Sequence, residues 1–217
     1  MRGLLAKTLF VCVLLLLATM IGEAKDVGGP IVVDTTWTIA DSPFIVRRSV
    51  LVSQDATLTI EPGVVVKFAP NLALQVDGQL IARGMESQKI VFTSNESSLS
   101  SGDWGYIQFS DTSFDAAYDE FENYVSGCIL QYCVVEYGCN EGAVLVQDSS
   151  PYIDHCIIKD NVIGIRVIGS DANPKINENS IYQNYTGIQL SESSNATIKE
   201  NRFTTEISTA TELPQSI

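Results

Sequence analysis

An internal repeat in the second half of the chain is the feature that most limits how this chain can fold. Between Ser126 and Phe203 one short pattern recurs every 22–23 residues, so that Ile153, Ile176 and Ile198 fall at equivalent positions. Self-similarity with a period of 20–50 residues is typical of proteins in which one structural unit stacks on the next. The repeat therefore predicts a solenoid.

Aligned copies of the repeat show four apolar columns separated by mixed positions. The columns are Leu130, Ile153, Ile176 and Ile198; Val135, Ile158, Ile181 and Phe203; Ala143, Ile165 and Ile188; and Leu145, Val167 and Leu190. Apolar and mixed positions alternate with a period of two in short runs bounded by Gly, Asn, Asp and Pro, which is strand periodicity. The pattern predicts an all-β fold, a single-stranded right-handed parallel β-helix of about seven coils of 22–23 residues.

One further column holds Cys133, Cys156, Asn179 and Asn201. A buried amide at a tight bend is costly unless it is hydrogen-bonded, and stacked coils allow each amide to bond the next coil. Asn also tolerates the left-handed conformation of a sharp bend, and Cys replaces it as a small buried residue. We therefore interpret this column as a structural ladder rather than a catalytic site.

The remaining chain divides around the repeat. The predicted segments are a signal peptide at 1–24, an N-terminal cap at 25–41, a β-helix at 42–205 with an acidic loop insertion at 110–124, and a tail at 206–217. A solenoid end exposes unpaired strand edges unless something covers them. We expect the tail to fold over the last coil, or that end to associate with a second molecule.

The first residues have the pattern of a secretory signal. Arg2 and Lys7 precede the apolar run Leu9–Ile21, and Ala24 closes a small-residue cleavage site. The run is too short to span a bilayer, so no membrane span is expected. We expect the protein to be secreted, periplasmic or at the cell surface. The formal net charge of −13 argues against nucleic acid as a partner and leaves cation binding open.

Four cysteines follow the signal segment, and an exported compartment permits disulfides. Cys133 and Cys156 fit the ladder as thiols, whereas Cys128 and Cys139 are candidates for a bridge across neighbouring bends. The cysteine spacing does not match a zinc site.

A family resemblance rests on several stretches of the chain. Asp55–Phe68, Leu74–Ala82 and Gly102–Gly105 resemble the opening coils of secreted bacterial and archaeal parallel β-helix repeat proteins. Ser126–Phe203 resembles the pectate-lyase-like and nitrous-oxide-accessory β-helix repeats. The resemblance implies the fold but leaves function open, because that superfamily includes polysaccharide lyases, hydrolases and adhesins.

The acidic loop is the first candidate binding site. Acidic and aromatic side chains together are able to bind Ca²⁺ and to stack a sugar, which makes candidates of Asp111, Asp115, Tyr118, Asp119 and Glu120. Within this set Asp111, Asp115 and Asp119 are the candidate Ca²⁺ ligands. The alternative is a solvated loop whose aromatic residues fold back over the coil.

A second candidate is catalytic. Tyr152–His155 resembles the Trp-Ile-Asp-His stretch of pectate lyases, which implies Asp154 as a Ca²⁺ ligand and Arg166 as the nearby base. The repeat alone explains the match, however, because Asp154 and His155 occupy columns of ordinary exterior or bend positions. We therefore expect a non-catalytic module that binds carbohydrate or another surface polymer, or that serves a structural or adhesive role. No cofactor is expected, with Ca²⁺ possible. The alternative is a Ca²⁺-dependent polysaccharide lyase of the pectate type.

The signal-peptide interpretation makes a direct prediction. Cleavage after Ala24 would leave Lys25 as the first residue of the exported protein. N-terminal sequencing of exported material checks this, and recovery of chains that retain Met1 would contradict it.

Overall fold

The computed structural model describes residues 24–191 and 194–204, and this part of the chain is almost entirely β-structure. Its only helical element is the short 3-10 turn Ile39–Asp41. The first strands are β1 (Lys25–Ile31), β2 (Thr35–Trp37), β3 (Phe44–Val52), β4 (Thr57–Ile60), β5 (Val65–Phe68), β6 (Leu74–Val76), β7 (Gln79–Arg83), β8 (Ile90–Ser94), β9 (Ile107–Phe109), β10 (Ala117–Tyr118) and β11 (Tyr124–Ser126). The later strands are β12 (Ile129–Gln131), β13 (Cys133–Glu136), β14 (Val144–Gln147), β15 (Tyr152–Asp154), β16 (Ile157–Lys159), β17 (Ile163–Ile168), β18 (Lys175–Asn177), β19 (Ser180–Tyr182), β20 (Thr186–Ser191), β21 (Thr197–Lys199) and β22 (Arg202–Thr204).

Apart from β10 and β11, which form a separate antiparallel pair, these strands stack in parallel on three faces of a right-handed solenoid of about eight turns. Face A contains β2, β4, β7, β12, β15, β18 and β21. Face B contains the first half of β3 with β5, β8, β13, β16, β19 and β22, and face C contains its second half with β6, β9, β14, β17 and β20. The predicted fold, a single-stranded right-handed parallel β-helix, is confirmed.

The first coil includes the segment predicted to be a cap. β1 pairs in parallel with both halves of β3, and β2 pairs with β4, so the segment is wound as a coil. It covers the next coil with Trp37, whose ring stacks on Phe44 with centroids 4.8 Å apart. The predicted signal peptide, apart from its last residue, and the predicted tail lie outside the described residues. Within the described residues, no helix is long and apolar enough to cross a membrane.

The core is a stack of apolar columns, because alternate side chains of each strand point inward. Leu130, Ile153 and Ile176 lie in register on face A, as the sequence predicts. Aromatic residues fill the core of the early coils, where Phe68 and Trp104 stack 4.2 Å apart. Each fully buried aliphatic or aromatic side chain contributes about 1.5–3 kcal/mol to folding.

The predicted columns on face C were wrong by one residue in one coil. Val144, not Ala143, pairs with Ile165, and Val146, not Leu145, pairs with Val167. The sequence alignment matched Gly142 with Gly164, but Gly142 has a φ of 110° and belongs to the preceding turn. A one-residue shift moves a side chain to the opposite side of a strand.

In the coils formed by β12–β22, the corners between faces A and B and between faces B and C turn through a residue in the left-handed region. Between faces A and B these residues are Tyr132, His155, Glu178 and Glu200, with φ values of 50–55°. Between faces B and C they are Tyr137, Asp160 and Gln183. The left-handed residue comes directly before the ladder residue, so the sequence interpretation that gave this conformation to the ladder Asn was wrong.

The ladder follows the corner between faces A and B. Asn179 accepts a hydrogen bond from the Cys156 amide (2.8 Å) and donates to the Ile153 carbonyl (3.0 Å), and Asn201 donates likewise to Ile176. The Cys156 thiol donates to the Leu130 carbonyl at 3.4 Å. The Asn and Cys side chains therefore have the same role, because each one hydrogen-bonds its corner to a carbonyl group of the coil before it.

A second ladder, missed in the sequence analysis, follows the corner between faces B and C. Asn161 is fully buried, donates to the Val135 carbonyl (3.0 Å) and accepts from the Gly138 amide (2.7 Å). Asn184 donates to Ile158 and accepts from Asn161. The two asparagines are 23 residues apart, which was the signal for this ladder in the sequence.

The four cysteines of the described chain are free thiols, so the bridge considered between Cys128 and Cys139 is absent from it. Cys128 is buried, and burial raises its pKa to about 11. Burial also raises the pKa of Cys133 well above its ordinary value. Cys139 is the least buried of the four.

Replacing Asn179 with Leu should lower the free energy of unfolding by about 1–3 kcal/mol, because the buried amide and carbonyl groups of the corner lose their partners. Asn161→Leu should have a similar effect. Asn173 is an exposed bend residue, and Asn173→Leu should change stability by less than about 0.5 kcal/mol. Denaturant unfolding measures all three variants, and equal midpoints for Asn179→Leu and Asn173→Leu would refute the ladder.

Thiol labelling should distinguish the cysteines. Among the four, we expect Cys139 alone to react with an alkylating reagent in the native state, because the thiolate is the nucleophile and the other three thiols are buried. Burial also raises the pKa of Cys139, so its labelling rate should increase as the pH rises. Mass-spectrometric mapping of the labelled peptides checks this. Native labelling of Cys128 or Cys133 would contradict the packing.

Candidate functional site

The predicted acidic loop forms a hairpin that lies against the outside of face A. β10 and β11 pair antiparallel, and the hairpin is attached at its base by backbone hydrogen bonds. Phe114 donates to the Gly78 carbonyl (3.1 Å), and Ala116 donates to the Ser150 carbonyl (2.9 Å). The hairpin therefore joins coils that are far apart in sequence, and it covers the outer side of β15.

Three tyrosines form the contact between the hairpin and the coil. The ring centroid of Tyr152 lies 5.6 Å from that of Tyr118 and 6.1 Å from that of Tyr124. The Lys175 ammonium lies 3.6 Å from the centre of the Tyr118 ring. Burial, followed by the negative charge of Asp154, raises the pKa of Tyr152 to about 12. Tyr118 thus packs over the coil instead of offering a free ring face to a ligand.

The acidic candidates of the hairpin separate into two groups. Asp119 accepts hydrogen bonds from the amides of Phe121 and Asn123, and its side-chain and backbone bonds with Asn123 lower its pKa. Asp115 accepts from the Ser150 amide at 2.7 Å. These two carboxylates stabilise the hairpin turn and its attachment to the coil.

Asp111 and Glu120 are exposed. Across the described residues, the one group of three or more acidic, His or Cys side chains with ligand atoms close enough for a single ion is Asp154, His155 and Glu178. The structure therefore does not bring Asp111, Asp115 and Asp119 together as Ca²⁺ ligands.

A shallow groove of about 240 Å³ runs along the base of the hairpin. It is lined by Gln79, Phe114, Asp115, Ser126 and Gly127. Phe114 is 49% exposed, and it lines this groove together with the polar residues Gln79 and Asp115. An exposed ring next to polar side chains is an arrangement suited to a sugar.

Asp154 is the most unusual of the catalytic candidates. It was expected at an ordinary exterior position, but it is only 2% exposed, which corrects that expectation. The Gln131 side chain donates to its Oδ2 at 2.7 Å, and Asp154 Oδ1 has no hydrogen-bond partner among the described residues. The overlying hairpin and the neighbouring coils enclose this carboxylate.

His155 lies at the corner that follows, between two carboxylates from successive coils. Its Nδ1 is 2.9 Å from Asp154 Oδ2, and its Nε2 is 3.2 Å from Glu178 Oε2. The Tyr132 ring lies beside the imidazole at a centroid distance of 4.9 Å. Asp154, His155 and Glu178 therefore form a compact cluster at one corner.

Arg166 does not join this cluster. It lies on β17 in face C, where its Nη1 is 3.0 Å from Glu141 Oε2, whereas Asp154 lies on β15 in face A. The arginine and the aspartate implied by the lyase resemblance therefore belong to different faces.

Neither Glu178 nor Asn177 is among the site residues predicted from the sequence. Both are visible in the register, because Glu178 is one coil beyond His155 and Asn177 pairs with Asp154. What the register does not show is the burial of Asp154 by the inserted hairpin.

The coils and corners described above define a right-handed parallel β-helix, and comparison with known proteins agrees. The family described as a right-handed β-helix region matches residues 82–203, more than half of the chain. A pectate-lyase-like β-helix domain matches residues 29–113. The chain therefore belongs to the right-handed β-helix family.

A curated relative is the Protein bark beetle of Drosophila melanogaster. It is 40% identical to this chain over 67 residues, which is 31% of this chain and 2% of that protein. The chain thus spans a very small part of the length of the relative it matches. No solved structure gives a significant match.

Proposed function

We propose that this protein is a non-catalytic β-helix module that acts outside the cytoplasm, as a secreted, periplasmic or cell-surface protein, and binds carbohydrate. The observation that carries the proposal is the groove at the base of the hairpin, which is lined by the half-exposed Phe114 together with Gln79 and Asp115. The apolar face of a sugar stacks on such a ring, and its hydroxyls bond the adjacent amide and carboxylate.

The surrounding scaffold supports a binding role. The groove is built where the hairpin joins the coils, and Phe114, Cys128 and Gly78 are linked there by backbone hydrogen bonds. A site fixed by backbone bonds loses little conformational freedom when a ligand binds, which favours affinity from a small contact area. The acidic character of the chain favours neutral or cationic polymers over anionic ones.

A Ca²⁺-dependent polysaccharide lyase is the alternative function. It has in its favour the cluster of Asp154 and His155, but Arg166 is paired with Glu141 on another face and does not supply a base beside that cluster. Proton abstraction requires a base within hydrogen-bond reach of the substrate proton. The arrangement of these side chains therefore favours binding over catalysis.

A glycan array probed with the exported protein tests the proposal. We expect retention on one class of neutral polysaccharide and, with polygalacturonate and Ca²⁺, no rise in the ultraviolet absorbance that marks lyase products. Phe114→Ala should lower the affinity for the glycan selected on the array by about 3- to 10-fold, because the stacking contact is lost.

Phe121→Ala is the matched control, because Phe121 is 76% exposed on the same hairpin and lies outside the groove. It should leave glycan affinity unchanged. An equal loss for both variants, or no glycan bound at all, would refute the groove as the site. A lyase product would support the alternative.

A further inference from the structure

The corner cluster contains a conflict among its hydrogen-bonding groups. A neutral imidazole carries a proton on one nitrogen and a lone pair on the other. His155 faces a carboxylate oxygen with both nitrogens, Asp154 Oδ2 at 2.9 Å and Glu178 Oε2 at 3.2 Å. When the proton is on Nε2 and faces Glu178, the Nδ1 lone pair faces Asp154. Two acceptors at 2.9 Å repel each other unless a cation lies between them.

The same place contains further acceptors without donors. Asp154 Oδ1, His155 Nδ1 and Asn177 Oδ1 are all buried atoms with no hydrogen-bond partner among the described residues. Asp154 and Asn177 are paired neighbours on β15 and β18, and the Tyr152 hydroxyl lies near both side chains without forming an aligned hydrogen bond to Asp154 Oδ1 or Asn177 Oδ1. An ionised carboxylate that is 2% exposed is costly unless it is paired or coordinates a metal.

We propose that this corner binds a divalent transition-metal ion, with the Asp154 carboxylate and His155 Nδ1 as ligands and the Asn177 side-chain oxygen adjacent to complete the site. The Glu178 carboxylate lies 3.2 Å from Nε2 of the same imidazole, where its charge favours the tautomer that has the proton on Nε2 and leaves Nδ1 free for the ion. Carboxylate–histidine–metal arrangements of this kind fix the tautomer and the ring orientation of the ligating histidine.

The geometry indicates which ions fit. Two ligand atoms 2.9 Å apart subtend an angle of about 90° at an ion with bonds of about 2.0–2.1 Å, which is octahedral rather than tetrahedral geometry. Mixed imidazole and oxygen ligands favour Ni²⁺, Co²⁺ or Mn²⁺, whereas Ca²⁺ takes oxygen ligands. The site therefore differs in place from the Ca²⁺ site considered on the hairpin, and in its ion and its imidazole ligand from the Ca²⁺ site that the lyase resemblance implies at Asp154.

A proton is the competing occupant of the same position. An imidazolium would donate from both nitrogens and would satisfy both carboxylates. Although Nδ1 and Asp154 Oδ2 are close, they are not aligned for a hydrogen bond, which a charged N–H···O pair would require. The misalignment favours an ion bound to both atoms.

Metal binding by the untagged, chelator-treated protein tests the proposal. Calorimetric titration with Ni²⁺, Mn²⁺ and Ca²⁺ should show one site for Ni²⁺ or Mn²⁺ and weaker or absent binding of Ca²⁺. The chain has one histidine, so its imidazole proton resonances are unambiguous, and Mn²⁺ at this corner should broaden them selectively.

Three variants locate the ion. His155→Asn introduces a residue that tolerates the φ of 50° at this corner. His155→Asn and Asp154→Asn, each as a single variant, should abolish metal binding. Glu178→Gln should lower the metal affinity by about 10- to 100-fold, as expected of a residue that orients the ligating imidazole. Glu200→Gln is the matched control, because Glu200 occupies the same corner position beyond Glu178, where it is exposed, and it should leave binding unchanged.

Several outcomes would overturn the proposal. Absence of Ni²⁺ and Mn²⁺ binding would refute the metal site. Binding that survives His155→Asn would place the ion elsewhere, and so would Mn²⁺ binding that leaves the imidazole resonances sharp. If Asp154→Asn does not fold, His155→Asn and the resonance measurement still test the metal site. The His155 side chain is partly exposed, so we expect its replacement to leave the fold intact.

Discussion

Hydrogen bonding between successive coils is the constraint on which the rest of this structure depends. Each strand of the three faces pairs in parallel with the equivalent strand of the next coil, so paired residues lie directly above their counterparts in the repeat. The corners are the weak points of such a fold, because the chain leaves regular pairing there and its amide and carbonyl groups need other partners. Asn179 and Asn161 supply those partners at the two corners. A left-handed residue before each of them makes the turn sharp enough.

The same constraint decides which functional groups meet. Register places Asp154 beside Asn177, and the corner places His155 between Asp154 and Glu178. Residues from two coils thus converge without any loop being needed to position them. Because the backbone fixes each of these positions through its pairing, a ligand at this corner meets side chains that are already oriented.

The sequence predicts most of the fold because the repeat is visible in it, and the columns through Ile153 and Val135 follow from spacing alone. The prediction of the face C column failed because one glycine was used to align the copies of the repeat. Gly142 belongs to a turn, so the face C column shifted by one residue. The burial of Asp154 was not visible either, since it depends on where an inserted hairpin lies, and strand periodicity carries no information about that.

The corner cluster of Asp154, His155 and Glu178 is specific to one coil although the fold is repetitive. The corner position of His155 is occupied by Tyr132 in the coil before it and by Glu178 in the coil after it, so only one coil presents an imidazole there. The hairpin also covers that coil, because Tyr118 packs against Tyr152. A solenoid has equivalent positions along its whole length. An inserted hairpin and a change of residue type at the corner make one of these positions different from the others. Here both changes fall on the coil of Asp154, which separates this corner from its structural equivalents.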